Sequence, residues 1–328
     1  MRRTSRPHQN CHPERSEGSR RSRRRKSFRL LLTLLVAVTA GAAGCQSIPT
    51  DRQVSTFATA TSMVAAVARD TLAASNAAVV TRKLRERAEL GGGVDDALFT
   101  PLVADDAYAV RIEFLDALER YATALEELAS AGRGKTMDKA VTKLAGALDA
   151  MGKHYESLTG KKEPAVRRGA IKKLVTVIGG EVTDAQRRQG IRRAVAVQHT
   201  VLPALLPVLR DEVGPAGIFG IAHRNQAEGE KATLMSRYNT DHQQERLSKN
   251  PDVRLKRLNR IREAWDRAAT VKTLYERLQE AVEHVTIAEQ ALYDATTGAG
   301  NPEHLFEAMG RAADTARAVS RIRKQLKE

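Results

Sequence analysis

The chain has 328 residues, with 54 Lys and Arg against 39 Asp and Glu, two cysteines and only 4% aromatic residues. Two cysteines exclude a disulfide-framed small domain, and a core poor in aromatics must be built from Ala, Leu and Val by close helix packing. The formal charge of +15 invites a nucleic-acid reading, but residues 1–44 hold eleven basic residues and two acidic ones; the other 284 residues carry 43 and 37, a net of about +6, which removes that argument.

The chain opens on a polar, Pro/Arg-rich stretch in which Asn10-Cys11-His12-Pro13-Glu14 resembles a translated intergenic repeat. The expected translation start is therefore internal, between Arg20 and Val36, at a non-AUG codon. His8, Cys11 and His12 lie in this coreless tail and are not read as a metal site. A basic block, Arg20 to Arg29, then precedes a short apolar run, Leu30 to Val38, and the small residues Ala42-Ala43-Gly44. That order is an export signal, and the run is too short for a transmembrane helix, which needs about 20 residues. Small residues ending in Cys45 resemble the lipobox of bacterial lipoproteins. The resemblance implies cleavage before Cys45 and a lipoprotein carrying diacylglycerol, with palmitate-type chains, on that thiol. Gln46 stands where the family's inner-membrane retention signal is Asp, which implies the periplasmic face of the outer membrane. On the residues alone, a plain secretory signal and an uncleaved anchor are the alternatives.

The expected organisation is a leader over 1–44, a lipidated tether over 45–49 and a helical domain over 50–328, with 159–163 and 248–251 as the places where that domain would divide. Thr50 and Gln53 have capping-box spacing and open a helix that runs to about Leu90, where Gly91-Gly92-Gly93 stops it. A second helix spans about Asp105 to Ser130; Ala107, Val110, Phe114, Ala117, Tyr121, Ala124 and Leu128 alternate at spacings of three and four, as in a coiled-coil seam. A third, about Thr136 to Leu158, repeats the pattern across the turn Gly132–Gly134, which predicts an antiparallel hairpin. Pro164 opens a basic helix broken at Gly179-Gly180, and helix resumes from Glu181 to about Val213 with kinks expected at Pro203 and Pro207. After Gly214–Gly217 a polar helix runs towards Leu247. Asn250-Pro251-Asp252 starts a long helix that reaches about Thr297, with one heptad stretch at Leu258, Ile261, Trp265 and Ala268 and a second from Val271 to Leu292. Asn301-Pro302 starts the last helix. The fold class is all-α: an elongated helical bundle with coiled-coil-like long helices.

Little in this pattern is catalytic. Ala129 to Thr136 matches only the loosest phosphate-loop spacing, and it follows a helix where such a loop needs a strand, so no nucleotide is assigned. The histidines from His154 onward are never paired at helical spacing, no nucleophile elbow is present, and acylation would consume Cys45; no catalytic residue, cofactor or metal ligand is assigned. Charge is segregated instead. Arg167, Arg168, Lys172, Lys173, Arg187, Arg188, Arg192 and Arg193 form a basic stretch suited to anionic lipid, an acidic partner or the acidic second helix of another copy. Its lack of interleaved aromatics argues against nucleic acid. Ile218 and Phe219, in the apolar segment Gly214 to Ala222, are a candidate contact loop. The expected function is a lipid-anchored envelope scaffold or adaptor working through helical protein–protein contacts or self-association. The alternative is a periplasmic ligand-binding or enzymatic helical protein with a pocket near 203–219.

Overall fold

The computed structural model describes residues 49–130, 135–165, 167, 169–172, 183–244 and 246–327. The chain divides between Cys45 and Gln46, and every described residue belongs to the second unit. Among the described residues all regular elements are helical and no strand occurs.

Helix α1, Asp51–Leu90, starts on the expected capping box: the Gln53 N–H donates to the Thr50 hydroxyl at 3.3 Å, and the Thr50 N–H donates to Gln53 Oε1 at 2.8 Å. It ends at Gly91, whose φ of 73° suits glycine. By length and composition α1 could cross a membrane, yet half of its most apolar window lies inside the bundle. Val54, Phe57, Val64 and Leu72 are core residues. The chain returns through a short 3-10 turn, Asp96–Phe99, and the Asn76 side chain accepts from the Leu102 and Val103 N–H groups at 2.9 and 3.3 Å. These bonds satisfy backbone donors that no helix would satisfy.

Helix α2, Asp105–Ser130, buries the Phe114, Ala117, Tyr121, Ala124 and Leu128 seam against α1. Helix α3, Lys135–Lys153, packs antiparallel on α2, as the pairs Lys143–Glu127 (2.7 Å) and His154–Glu113 (3.3 Å) require. It does not continue to Leu158. The chain bends at His154 and starts a separate short helix, α4, Tyr155–Thr159, which ends at the left-handed Gly160. The expected helix from Glu181 to Val213 is also two helices. α5, Asp184–His199, has a second capping box on Thr183 and Gln186; α6, Leu202–Glu212, follows the break at Thr200-Val201. Pro203 thereby falls in the first turn of α6, where its missing N–H costs nothing, and only Pro207 lies inside a helix.

Helix α7, Ile218–Gln243, comes so close to its neighbours at Gly220 that a Cβ there would lie 2.3 Å from the Gly214 carbonyl oxygen and 3.2 Å from Tyr275 Cδ1. Helix α8, Pro251–Thr297, is capped by the Asn250 side chain, which accepts from the Asp252 N–H at 2.8 Å. Its 47 residues give a length of about 70 Å at 1.5 Å each. Helix α9, Pro302–Lys327, completes the bundle. α8 packs on α9, α7, α6, α5 and α1, while α1 also packs on α2, α7 and α9, so these two long helices organise one core.

The two heptad stretches of α8 have different fates. Val271, Leu274, Leu278, Ala281, Val285, Ala288 and Leu292 are buried. α7 runs along the first stretch, pairing Asp241 with Arg257 and setting Lys231 over Trp265, but it buries only Ala264 and Ala268 there, and Leu258 and Trp265 stay 45% and 53% exposed.

Candidate functional site

The basic stretch does not form one outward surface. Arg167 is corrected from a surface residue to an interior one, at 1% exposure. Its guanidinium lies over the bare backbone of Gly152 in the last turn of α3, donating to the Leu148 carbonyl and to Glu163, with Asp149 at 4.0 Å. The last turns of a helix carry partial negative charge, which favours a cation there. Arg187 also turns inward: it donates to the Ala129 carbonyl at 2.6 Å and pairs with Asp51 at 3.0 Å, tying the end of α2 to the start of α1. Arg192 and Arg193 are half-buried and engaged, while Lys172 and Arg188 are exposed. Arg168 and Lys173 lie outside the described residues, as does Cys45.

The acidic face of α2 is largely neutralised within the chain. Arg69 of α1 is forked between Asp116 and Glu119, Glu126 accepts from the Ser55 hydroxyl at 2.8 Å, and Glu127 pairs with Lys143. The Arg69 guanidinium is held further in its charged form, first by the Asp116 hydrogen bond, against the opposing effect of burial. An open charged groove of about 820 Å³ runs along this surface past Gly146 and Ala147 of α3.

The candidate contact pair is split. Ile218 is 48% exposed, but Phe219 is fully buried, and both belong to the first turn of α7 rather than to a loop. Phe219 is thus corrected to a core residue. Ile218 and Ile221 line an open groove of about 770 Å³ between α7 and α1, with Val79 and Leu102. Its Arg82 and Glu86 pair with each other at 2.7 Å, so they do not converge on its floor.

Two buried polar clusters were invisible as motifs. In the first, Ser75, Tyr275 and His223 come together from α1, α8 and α7. The Ser75 hydroxyl donates to the Thr71 carbonyl at 2.7 Å. The phenol of Tyr275 is therefore the donor to Ser75, and the proton on His223 is assigned to Nδ1, which donates to the phenol oxygen at 3.2 Å. Burial, with the positive charges of Arg323 and Arg267, lowers the imidazole from 6.5 to about 4, so it is neutral at pH 7. Burial raises the Tyr275 phenol far above its ordinary value. A hydroxyl committed to a backbone carbonyl and a phenol that keeps its proton are poor nucleophiles; this chain of bonds joins three helices.

The second cluster joins α2, α5 and α8. Glu289, 1% exposed, faces His199 Nδ1 at 3.1 and 3.3 Å, and His199 stacks on Tyr293 with ring centroids 3.7 Å apart. Next to it the Tyr121 hydroxyl donates to Gln198. Burial raises the Glu289 carboxyl, with His199 pulling the other way, and burial followed by the Glu289 charge raises Tyr121. One signal was available: an acid inside Ile287-Ala288-Glu289-Gln290-Ala291, one residue from a seam position. Because its folded value is raised, Glu289 contributes stability that is complete below the ordinary carboxylate value and is lost as pH rises through the folded one. Glu289→Gln is expected to gain stability relative to the parent between pH 4.5 and neutrality. Melting temperatures of both proteins across that range check this; a gap that moves the other way means the His199 pairing outweighs burial.

Among the described residues no three His, Cys, Asp or Glu side chains are grouped to hold a metal. Lys135 is the first residue of α3, and the regular element described before it is the helix α2 rather than a strand; Gly134 lies outside the described residues. No protein-family model matches the chain, and no curated protein or solved structure is significantly similar to it.

Proposed function

We propose that the protein is a lipid-anchored envelope protein, acylated at Cys45 and held at the periplasmic face of the outer membrane, where its helical bundle serves as a scaffold or adaptor for another envelope protein or a second copy. The observation that carries the reading is the order of basic block, apolar run, Ala42-Ala43-Gly44 and Cys45 immediately before the capped start of α1 at Thr50. Five residues from Cys45 to Thr50 span about 17 Å at full extension, so α1 would begin beside the bilayer. A single acyl chain binds weakly, whereas the two or three implied by the lipobox hold stably. The adaptor role is supported by the employment of the reactive-looking side chains: Ser75, Tyr275, His223, His199 and Glu289 bond to one another and to backbone across helices.

The test is intact mass and membrane fractionation of the native protein beside a Cys45→Ser variant. The expected native protein begins at an acylated Cys45 and sediments with the outer membrane, while the variant loses both properties. A soluble native protein that keeps residues 20–44 would sink the anchor. In-cell crosslinking that recovers neither a specific partner nor a dimer would sink the adaptor role.

A further inference from the structure

The end of the α7–α8 hairpin combines two features. Between residues 246 and 262 there are seven basic residues and one acid, Asp252, before Glu263 and Asp266 follow. Arg257 is held by Asp241 at 2.8 Å, while Arg254, Lys256, Arg260 and Arg262 are exposed. The same turns expose Val253 (42%), Leu255 (56%), Leu258 (45%) and Trp265 (53%). The Trp265 ring carries Lys231 Nζ at 4.5 Å from its centroid. Large apolar side chains left together in water are unfavourable and mark a surface that something covers.

The pattern says what kind of covering. Successive helical residues point about 100° apart, and 253 to 256 are all exposed. Cations and apolar groups therefore surround the helix instead of dividing into two faces. An acidic helix or groove would cover one side only. Nucleic-acid phosphates would meet the cations and leave Val253, Leu255 and Leu258 wet. A headgroup layer with acyl chains beneath it satisfies both kinds of side chain at once and needs no fixed register.

We propose that the α7–α8 hairpin end docks on an anionic phospholipid bilayer, its arginines and lysines on the headgroup phosphates and Val253, Leu255, Leu258 and Trp265 at the acyl boundary. The site belongs to the folded bundle and does not depend on Cys45. The hairpin end lies just beyond the C-terminus of α1, where Arg237 pairs with Glu89 at 2.8 Å. The 40 residues of α1 place it about 60 Å from Thr50. The contact is thus distinct from the anchor.

Trp265 is the only tryptophan and supplies the readout. The full chain carrying Cys45→Ser is mixed with vesicles of phosphatidylglycerol and phosphatidylcholine, or of phosphatidylcholine alone, and followed by co-sedimentation and tryptophan emission. A blue shift and sedimentation with the anionic vesicles alone are expected, weakening as salt is raised. Replacing Arg254, Lys256, Arg260 and Arg262 together by Gln is expected to lower partitioning at least tenfold with an unchanged melting temperature. Leu255→Ser with Leu258→Ser is expected to reduce the emission shift. An emission spectrum indifferent to anionic vesicles, or a quadruple variant that binds like its parent, overturns the proposal. So does binding of polyglutamate or duplex DNA without vesicle binding, which assigns the surface to an acidic protein or to nucleic acid. The mass of Cys45 reports on the anchor separately, so either idea can fail alone.

Discussion

Replacing Gly152 by Ala is expected to destabilise the fold by about 2–4 kcal/mol, although Ala is the better helix former by about 1 kcal/mol. A Cβ at this position would stand 1.8 Å from Arg167 Cζ and Nη2. The overlapped atoms end a long side chain, which ordinarily swings away at little cost. Here they are pinned, donating to the Leu148 carbonyl and to Glu163 in a setting where Arg167 is 1% exposed. Moving the guanidinium breaks both of these bonds and leaves a buried cation without its acceptors, and that loss sets the magnitude. The check is a double-mutant cycle by denaturant unfolding with Gly152→Ala, Arg167→Ala and both together. In the Arg167→Ala background the Gly152 substitution should become neutral or mildly stabilising. If Gly152→Ala stabilises the parent, the guanidinium does not occupy that notch.

Acidification supplies the second large effect. His223 is neutral in the fold because burial, followed by Arg323 and Arg267, lowers its value from 6.5 to about 4. An imidazole lowered on folding contributes stability that is complete above its unfolded value and is lost as pH falls towards the folded one. The window is therefore pH 6.5 down to about 4, and at 1.36 kcal/mol per pH unit the loss is about 3 kcal/mol. His223→Asn keeps an N–H that can reach the Tyr275 oxygen but cannot be protonated. Carboxylates also titrate at the acid end of this window, so the informative quantity is the difference in unfolding free energy between the two proteins. It should shift in favour of the variant by about 3 kcal/mol across the window. A flat difference would mean that the imidazole already has access to water.

Local chemistry made the helix starts legible. Thr50 with Gln53 and Asn250 with Pro251 each carry their own hydrogen-bond partner within three residues, and the structure uses both. The α2 seam was legible too, since its spacing forces Phe114, Tyr121 and Leu128 onto one face and α1 is there to cover them. Periodicity names an apolar face without saying how much of it a neighbour covers: α7 buries Ala264 and Ala268 but leaves Leu258 and Trp265 half-exposed. A run of arginines reads as solvated because the groups that draw it inward lie far away in sequence. Arg167 is inside on account of Gly152, fifteen positions away on another helix, and Arg187 on account of Ala129 and Asp51. The breaks at His154 and Thr200 carry no glycine or proline at the break itself. Glu289 with His199, and Tyr275 with His223, are pairs that only the packing of α8 against α5 and α7 creates.

The uncovered end of the α7–α8 hairpin also bears on chain continuity. Arginines and lysines follow one another there with little tertiary support, so a protease specific for basic residues meets a run of accessible bonds near residues 246–262. A cut in that run would separate α1 to α7 from most of α8 and α9. The two pieces would still share one interior, because α8 and α9 pack on α1 below the cut. The bundle is therefore organised as two complementary fragments that a single nick need not part, and either fragment alone would expose a long apolar face with no partner.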